Sequence, residues 1–90
     1  MMDANRHVVE FQATILDSDN QPLSTGQARL YTKLCCGTFW PLTQGDVQKI
    51  QGRAATLQAK DGSRYKLKNF HACPHHLPEV VNHCEFDYLP

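Results

Sequence analysis

The sequence has no excess of charge of either sign. Nine lysines and arginines balance nine aspartates and glutamates over 90 residues. A protein dedicated to nucleic acid usually has a basic excess, so this balance argues against that class. A net charge of zero also gives little electrostatic protection against association, which leaves homo-oligomerisation or a protein partner open.

Long apolar runs are missing as well. Residues 1–7 are polar and include an acid, no apolar core of a signal peptide follows them, and no stretch approaches the length of a membrane span. We therefore expect a cytoplasmic protein without a membrane partner. In that compartment the four cysteines are expected to be thiols or metal ligands rather than disulfides.

Internal repeats and interior linkers are also missing, so residues 1–90 are predicted to form a single β-rich domain with a disorder-prone N-terminus at residues 1–7. A chain of this size can bury only a thin core. A metal ion or a second subunit would add stability to such a domain.

Alternation of apolar and polar residues is the main structural pattern in the chain. At the end of the sequence, for example, Cys84, Phe86 and Tyr88 fall on one face of a predicted strand. Read in the same way, the chain contains strands at residues 8–16, 27–33, 53–59, 63–69 and 84–89. Residues 34–41 are predicted to be a bent edge strand or a loop that plugs the core, because Gly37 permits a bend and Pro41 cannot donate to a sheet.

The hairpin around Lys60-Asp61-Gly62 allows two registers. A two-residue turn would place Leu57 opposite Lys66 and would mix apolar and polar residues on both faces. A three-residue loop with a left-handed Gly62 places Leu57 opposite Tyr65 and sorts the two faces. We predict the second register.

Five short strands and a long loop favour a small antiparallel barrel or a rolled sheet with at most one short helix. The alternative is a two-layer α+β fold that uses residues 44–50, where Asp46 could cap a short helical turn.

A cluster of cysteine and histidine residues predicts a candidate zinc site. Cys73 and His76 have the C-x-x-H spacing that lets one turn present two ligands. Cys84 or His83 on the last strand could supply the third ligand, and Cys35 or Cys36 the fourth. The alternative interpretation is that the cysteines are small buried hydrophobic residues and that the histidines lie in a solvated loop.

Two sets of residues form candidate binding surfaces. Arg64, Lys66 and Lys68 alternate and are predicted to project from one strand face, beside which Tyr31, Trp40 or Phe70 could stack the bases of a nucleic acid. The alternative is a solvated outer face. The aromatic residues, Phe39 and Trp40 above all, belong either to the core or to a surface that contacts a partner or a small ligand.

No complete catalytic constellation is present in the sequence. Cys73 has histidines nearby, but no family-type motif surrounds any cysteine and no third group is evident, so we name no catalytic residue. We therefore expect a non-enzymatic binding or interaction module, with a homodimer as one form. A zinc-stabilised module is the alternative, and a barrel that binds a small ligand or nucleic acid is the second.

Overall fold

A computed structural model of the chain describes residues 7–43, 50–73 and 83–89. Within these ranges six β-strands are present: β1 (Val8–Leu16), β2 (Pro22–Tyr31), β3 (Cys36–Pro41), β4 (Thr56–Ala59), β5 (Arg64–Cys73) and β6 (His83–Tyr88). Apart from His7, the disorder-prone start lies outside the described residues, and so does the helical turn at residues 44–50, apart from Ile50.

The six strands close into an antiparallel barrel in the order β1-β2-β3-β6-β5-β4, with β4 pairing back onto β1. The predicted small antiparallel barrel is therefore confirmed, with six strands in place of five. No helix in the described ranges has the length and apolar character that a membrane crossing requires.

The additional strand is β3, which the sequence analysis did not count among its five strands. The prediction that residues 34–41 form an edge strand or a plugging loop is wrong. This strand lies inside the sheet, paired with β2 on one side and β6 on the other. Gly37 permits a close approach of β2, because a Cβ atom there would lie 2.4 Å from the Arg29 carbonyl oxygen. Pro41 is the last residue of the strand, a position where a missing N–H does not interrupt the sheet.

Alternate residues of the strands fill the barrel interior. Ile15, Leu30, Phe39 and Leu57 are fully buried, and Cys84, Phe86 and Tyr88 lie on the buried face of β6 as predicted. A small barrel of this kind is packed with side chains. A ligand in the interior would have to displace these residues.

The β4–β5 hairpin has the predicted register. Leu57 pairs with Tyr65, and Gln58 pairs with Arg64. Gly62 has a φ of 97°, and its N–H donates to the Ala59 carbonyl oxygen at 2.9 Å. A left-handed residue at the end of a three-residue loop matches the twist of the two strands, so the local sequence determines the register.

The strand β5 extends further than the predicted 63–69. The register of its pairing with β6 shifts between Lys68 and His71, and Asn69 between them has a φ of 55°. Asparagine tolerates this left-handed conformation better than most residues, so the strand bulges here and does not end. Beyond the bulge, His71 pairs with Glu85.

Candidate interaction face

The outer surface centred on β3 also includes the flanking strands β2 and β6, and we call it the β3 face; β1 and β5 continue it where the closed barrel curves away. The registers place five outward residues in one row across these strands. In order across the sheet this central row consists of Glu10, Arg29, Thr38, Glu85 and His71. Neighbouring strands lie about 4.8 Å apart, so Arg29 and Glu85 flank Thr38 at similar distances.

Trp40 is the aromatic centre of the β3 face. The Arg29 guanidinium lies 5.4 Å from the centre of its ring, and the His83 ring centre lies 6.1 Å away. The Trp40 side chain is half-buried, as are those of Thr38 and Cys36, because alternate residues of β3 point outward. A guanidinium in this position is attracted by the ring quadrupole and holds the tryptophan in place.

Arg29 is fixed from two other directions. Its Nε donates to Glu10 Oε2 at 2.5 Å. Hydrogen bonds to the Tyr31 and Glu10 side chains, and the charge of Glu10, raise the pKa of Arg29 above its ordinary value. Arginine is charged at any physiological pH, so these contacts determine where its positive charge lies and not whether it exists.

Glu85 is the centre of a second polar cluster on the same face. The Nε2 atoms of His71 and His83 lie 3.9 and 3.4 Å from its two carboxylate oxygens. His71 Nδ1 lies 2.8 Å from the Asn69 carbonyl oxygen and donates to it when it carries the proton. The bulge at Asn69 therefore orients the imidazole that contacts Glu85.

A groove of about 320 Å³ runs beside this cluster, between Tyr31 and Thr38 on one side and Asn69 and Asp87 on the other. Asn69 Nδ2 donates to Asp87 Oδ2 at 2.9 Å. Burial raises the pKa of the Cys36 thiol, and the charges of Asp87, Cys35 and Glu85 raise it further. A thiol with a raised pKa stays protonated near neutral pH and is a poor nucleophile.

The predicted zinc ligands do not come together as a set. Cys84 is buried opposite Phe39, whereas the Cys35 carbonyl oxygen accepts a hydrogen bond from Tyr88 N. Cys84 and Tyr88 are four residues apart on one strand, which separates these two levels by about 13 Å. Zinc lies only about 2.3 Å from each sulfur ligand, so Cys35 and Cys84 cannot share an ion in this fold.

The other half of the predicted zinc site lies outside what the structure describes, because His76 and the side chain of Cys73 are not among the described residues. Zinc binding through these two residues stays a prediction. In the part of the chain that is described, no three histidine, cysteine or acidic side chains are arranged to hold a metal ion, and this includes His71, Glu85 and His83.

The predicted binding residues occupy different parts of the barrel. Tyr31 and Trp40 lie on the β3 face. Phe39 is fully buried, so its assignment to a binding surface is wrong, because it occupies an inward position of β3. Phe70 is half-buried, and its ring stacks at 5.9 Å on the core residue Phe86.

The predicted basic residues Arg64, Lys66 and Lys68 are all exposed. Arg64 and Lys66 pair with residues of β4, while Lys68 pairs with Asp87 of β6. The strand β6 separates β5 from β3 in the barrel. The basic stripe and Trp40 therefore do not form the single base-stacking surface that the sequence allowed.

Sequence reasoning missed the polar partners of Trp40, which are Arg29 and His83, and it missed the cluster around Glu85. One pattern in the sequence could have indicated them, namely the outward-facing residues of each alternating strand. These include Arg29 on β2 and the residues on either side of Cys84 on β6. Without the strand order, nothing in the sequence places these two strands on either side of β3.

Comparisons of the chain with protein-family models, with curated proteins and with solved structures found no match.

Proposed function

We propose that this protein is a non-enzymatic interaction module that pairs with a second copy of itself through the β3 face. The observation that carries the proposal is the order of acidic and basic side chains in the central row. Glu10 and Arg29 lie on one side of Thr38, and Glu85 and His71 lie on the other. The residue next to Thr38 is basic on one side, Arg29, and acidic on the other, Glu85. The outer residue is acidic on the first side and basic on the second.

This order makes the face complementary to itself. In a twofold dimer each pair of contacts occurs twice, so one patch must fit its own copy. Rotation by 180° about an axis that runs along β3 brings Arg29 opposite the partner subunit's Glu85. The same rotation relates Glu10 to the partner subunit's His71 at the ends of the row, where the barrel curves away from the partner. Arg29 has five N–H donors, so its guanidinium can contact Glu10 and a second carboxylate together.

Trp40 supplies the apolar contact that such an interface needs. It lies on β3, so the same axis places it against the partner subunit's Trp40. Tryptophan and arginine are enriched among the residues that contribute most to binding energy. A convex barrel touches its copy over a limited area, so we expect dissociation on the order of micromolar concentration.

A non-enzymatic role is supported by the state of Cys36, the cysteine beside the groove. Its raised pKa disfavours the thiolate that nucleophilic catalysis needs. We also propose a cytoplasmic location, which the thiol state of Cys35 and Cys36 supports because such a compartment keeps cysteines reduced.

Sedimentation velocity over a range of concentrations tests the dimer. We expect the wild-type protein to convert from one to two chains, and we expect W40A, R29E and E85R each to shift this transition to concentrations at least about tenfold higher. The double variant R29E/E85R exchanges the charges and should recover much of the lost affinity. K60Q, on the distant hairpin loop, is the matched control.

A crosslinking experiment tests the axis. In a C36S background, T38C places a thiol on the axis, and a short bismaleimide should join two copies. Q58C lies on β4, which is not part of the β3 face, and should crosslink much more slowly. A protein that stays monomeric at about 0.2 mM, well above the micromolar range expected here, or equal crosslinking of the two variants, would overturn the proposal.

A further inference from the structure

A second concave surface lies on the barrel away from β3, where β4 and β5 meet the β1–β2 turn. We call it the β4–β5 cleft. It has a volume of about 450 Å³, which lies within the range of small-molecule sites. Its lining consists of Ser18, Ala55, Thr56, Arg64 and Lys66.

The Arg64 guanidinium is held in a fixed orientation at this cleft. Its Nε donates to Gln58 Oε1 at 3.0 Å, and its Nη1 donates to Asn20 Oδ1 at 3.3 Å. Asn20 is in turn fixed in the β1–β2 turn with a φ of 64°, and its N–H donates to the Asp17 carbonyl oxygen. These two bonds use two of the five guanidinium donors, which leaves three for a ligand.

Arg64 and Lys66 lie two residues apart on one strand, so their side chains project to the same side. Within the described part of the chain, neither side chain forms an ion pair with a carboxylate. The nearby β1–β2 turn contains Asp17 and Asp19, and Asp17 Oδ1 accepts hydrogen bonds from the N–H groups of Asp19 and Gln21. Arg64 and Lys66 are therefore two adjacent cations that no carboxylate of the described residues pairs with directly, and together they attract an anionic ligand.

The lining also supplies hydroxyl groups. Ser18 lies on the turn side of the cleft, and Thr56 pairs with Lys66 across β4 and β5. An arginine with free donors, a lysine and two hydroxyls are the groups that proteins use to hold phosphate, because arginine matches its oxygens bidentately and lysine adds charge.

We propose that the β4–β5 cleft binds the phosphate group of a small phosphorylated ligand. Arg64 provides the oriented contact, Lys66 provides the second charge, and Ser18 and Thr56 complete the hydrogen bonds. This site is separate from the β3 face, so it does not depend on the dimer.

The test uses pyrophosphate as the probe and follows the backbone amide resonances of the ¹⁵N-labelled full chain. We expect saturable shifts at Ser18, Thr56, Arg64 and Lys66. R64Q and K66Q should each weaken binding by about tenfold, since each removes a charge-assisted contact. K68Q carries the same change on the same strand but outside the cleft, and it should bind within about twofold of the wild-type protein.

Three results would overturn the proposal. The first is a set of shifts that stay linear with pyrophosphate concentration, and the second is an equal loss in K68Q and in R64Q. The third is binding of an oligothymidylate in the absence of pyrophosphate binding, because that would assign the basic residues to a nucleic acid. Circular dichroism spectra of the variants that match the wild-type spectrum show that a loss of binding is not a loss of fold.

Discussion

Phe39 and Trp40 are adjacent aromatic residues, and the fold gives them opposite roles. Phe39 is fully buried in the barrel, whereas Trp40 is half-buried on the β3 face. Replacement of a buried phenylalanine by alanine costs about 3–5 kcal/mol, because both transfer energy and packing are lost. A domain of this size has a total unfolding free energy of only about 5–13 kcal/mol. F39A is therefore expected to lie close to the limit of folding.

The milder variant F39L should still fold, so the loss of stability at Phe39 can be measured and compared with the loss at Trp40. It retains an apolar side chain of smaller volume, so we expect a loss of about 1–2 kcal/mol. With a urea dependence of about 1–1.5 kcal/mol per molar, the midpoint should fall by about 1 M. W40L, the matched variant on the outer face, should shift the midpoint by less than half of that.

Urea unfolding followed by circular dichroism at one low protein concentration measures both shifts. The far-ultraviolet signal is required because Trp40 is the only tryptophan, so fluorescence would be lost in W40L. A larger shift for W40L than for F39L would refute the reasoning, since it would mean that the inward and outward faces of β3 are exchanged.

Two further predictions follow from the strand contacts and the hairpin. G37A should destabilise the barrel by more than about 2 kcal/mol in the same urea assay, because its Cβ would meet the Arg29 carbonyl oxygen at 2.4 Å. G52A meets no atom within 4 Å and should cost only the strain of its positive φ, about 1–2 kcal/mol, so equal losses would contradict the close approach of β2 and β3. Hydrogen bonds from Ser63 hold the pKa of Asp61 below its ordinary value. The carboxylate therefore adds stability above about pH 4, where an unfolded aspartate is ionised, and this contribution is lost as the pH falls further. The thermal midpoint of the wild-type protein should accordingly exceed that of D61N at pH 6 and approach it at pH 2.5, and a constant difference across this range would argue against the hydrogen bonds.

Local chemistry explains which parts of the fold were predictable. The strand at residues 8–16 and the buried face of the last strand follow from a period of two, which is a property of neighbouring residues. The register of the β4–β5 hairpin follows from the conformational freedom of Gly62 together with the pattern on each side. Each of these features depends on fewer than about a dozen consecutive residues.

The central position of β3 and the length of β5 depend on contacts between distant parts of the chain. In the local sequence, Gly37 and Pro41 indicate an edge strand or a loop. Only the pairing of β3 with β2 and β6 shows why these residues suit an interior strand. Asn69 would normally mark the end of a strand, but β6 continues to pair beyond the bulge.

The β3 face was only partly predictable for the same reason. The sequence identified Trp40 and Tyr31 as candidate binding residues, because aromatic side chains can stack bases and can exceed what the thin core of a short chain needs. The central row joins residues that are up to 75 positions apart in the sequence, from Glu10 to Glu85. No local pattern indicates which acid faces which base, so the row requires the strand order.

The place of β6 in the barrel has a consequence for how the protein is made. This strand leaves the ribosome after the other five described strands, yet it separates β3 from β5 and pairs with both. Until it arrives, β3 and β5 each present an open edge, and open edges invite pairing with other chains. Closure also joins residues 51 positions apart, as in the pair Cys36 and Asp87, which slows folding. The nascent barrel should therefore be most prone to aggregation just before β6 is released, and a product truncated before β6 should be recovered mainly in inclusion bodies.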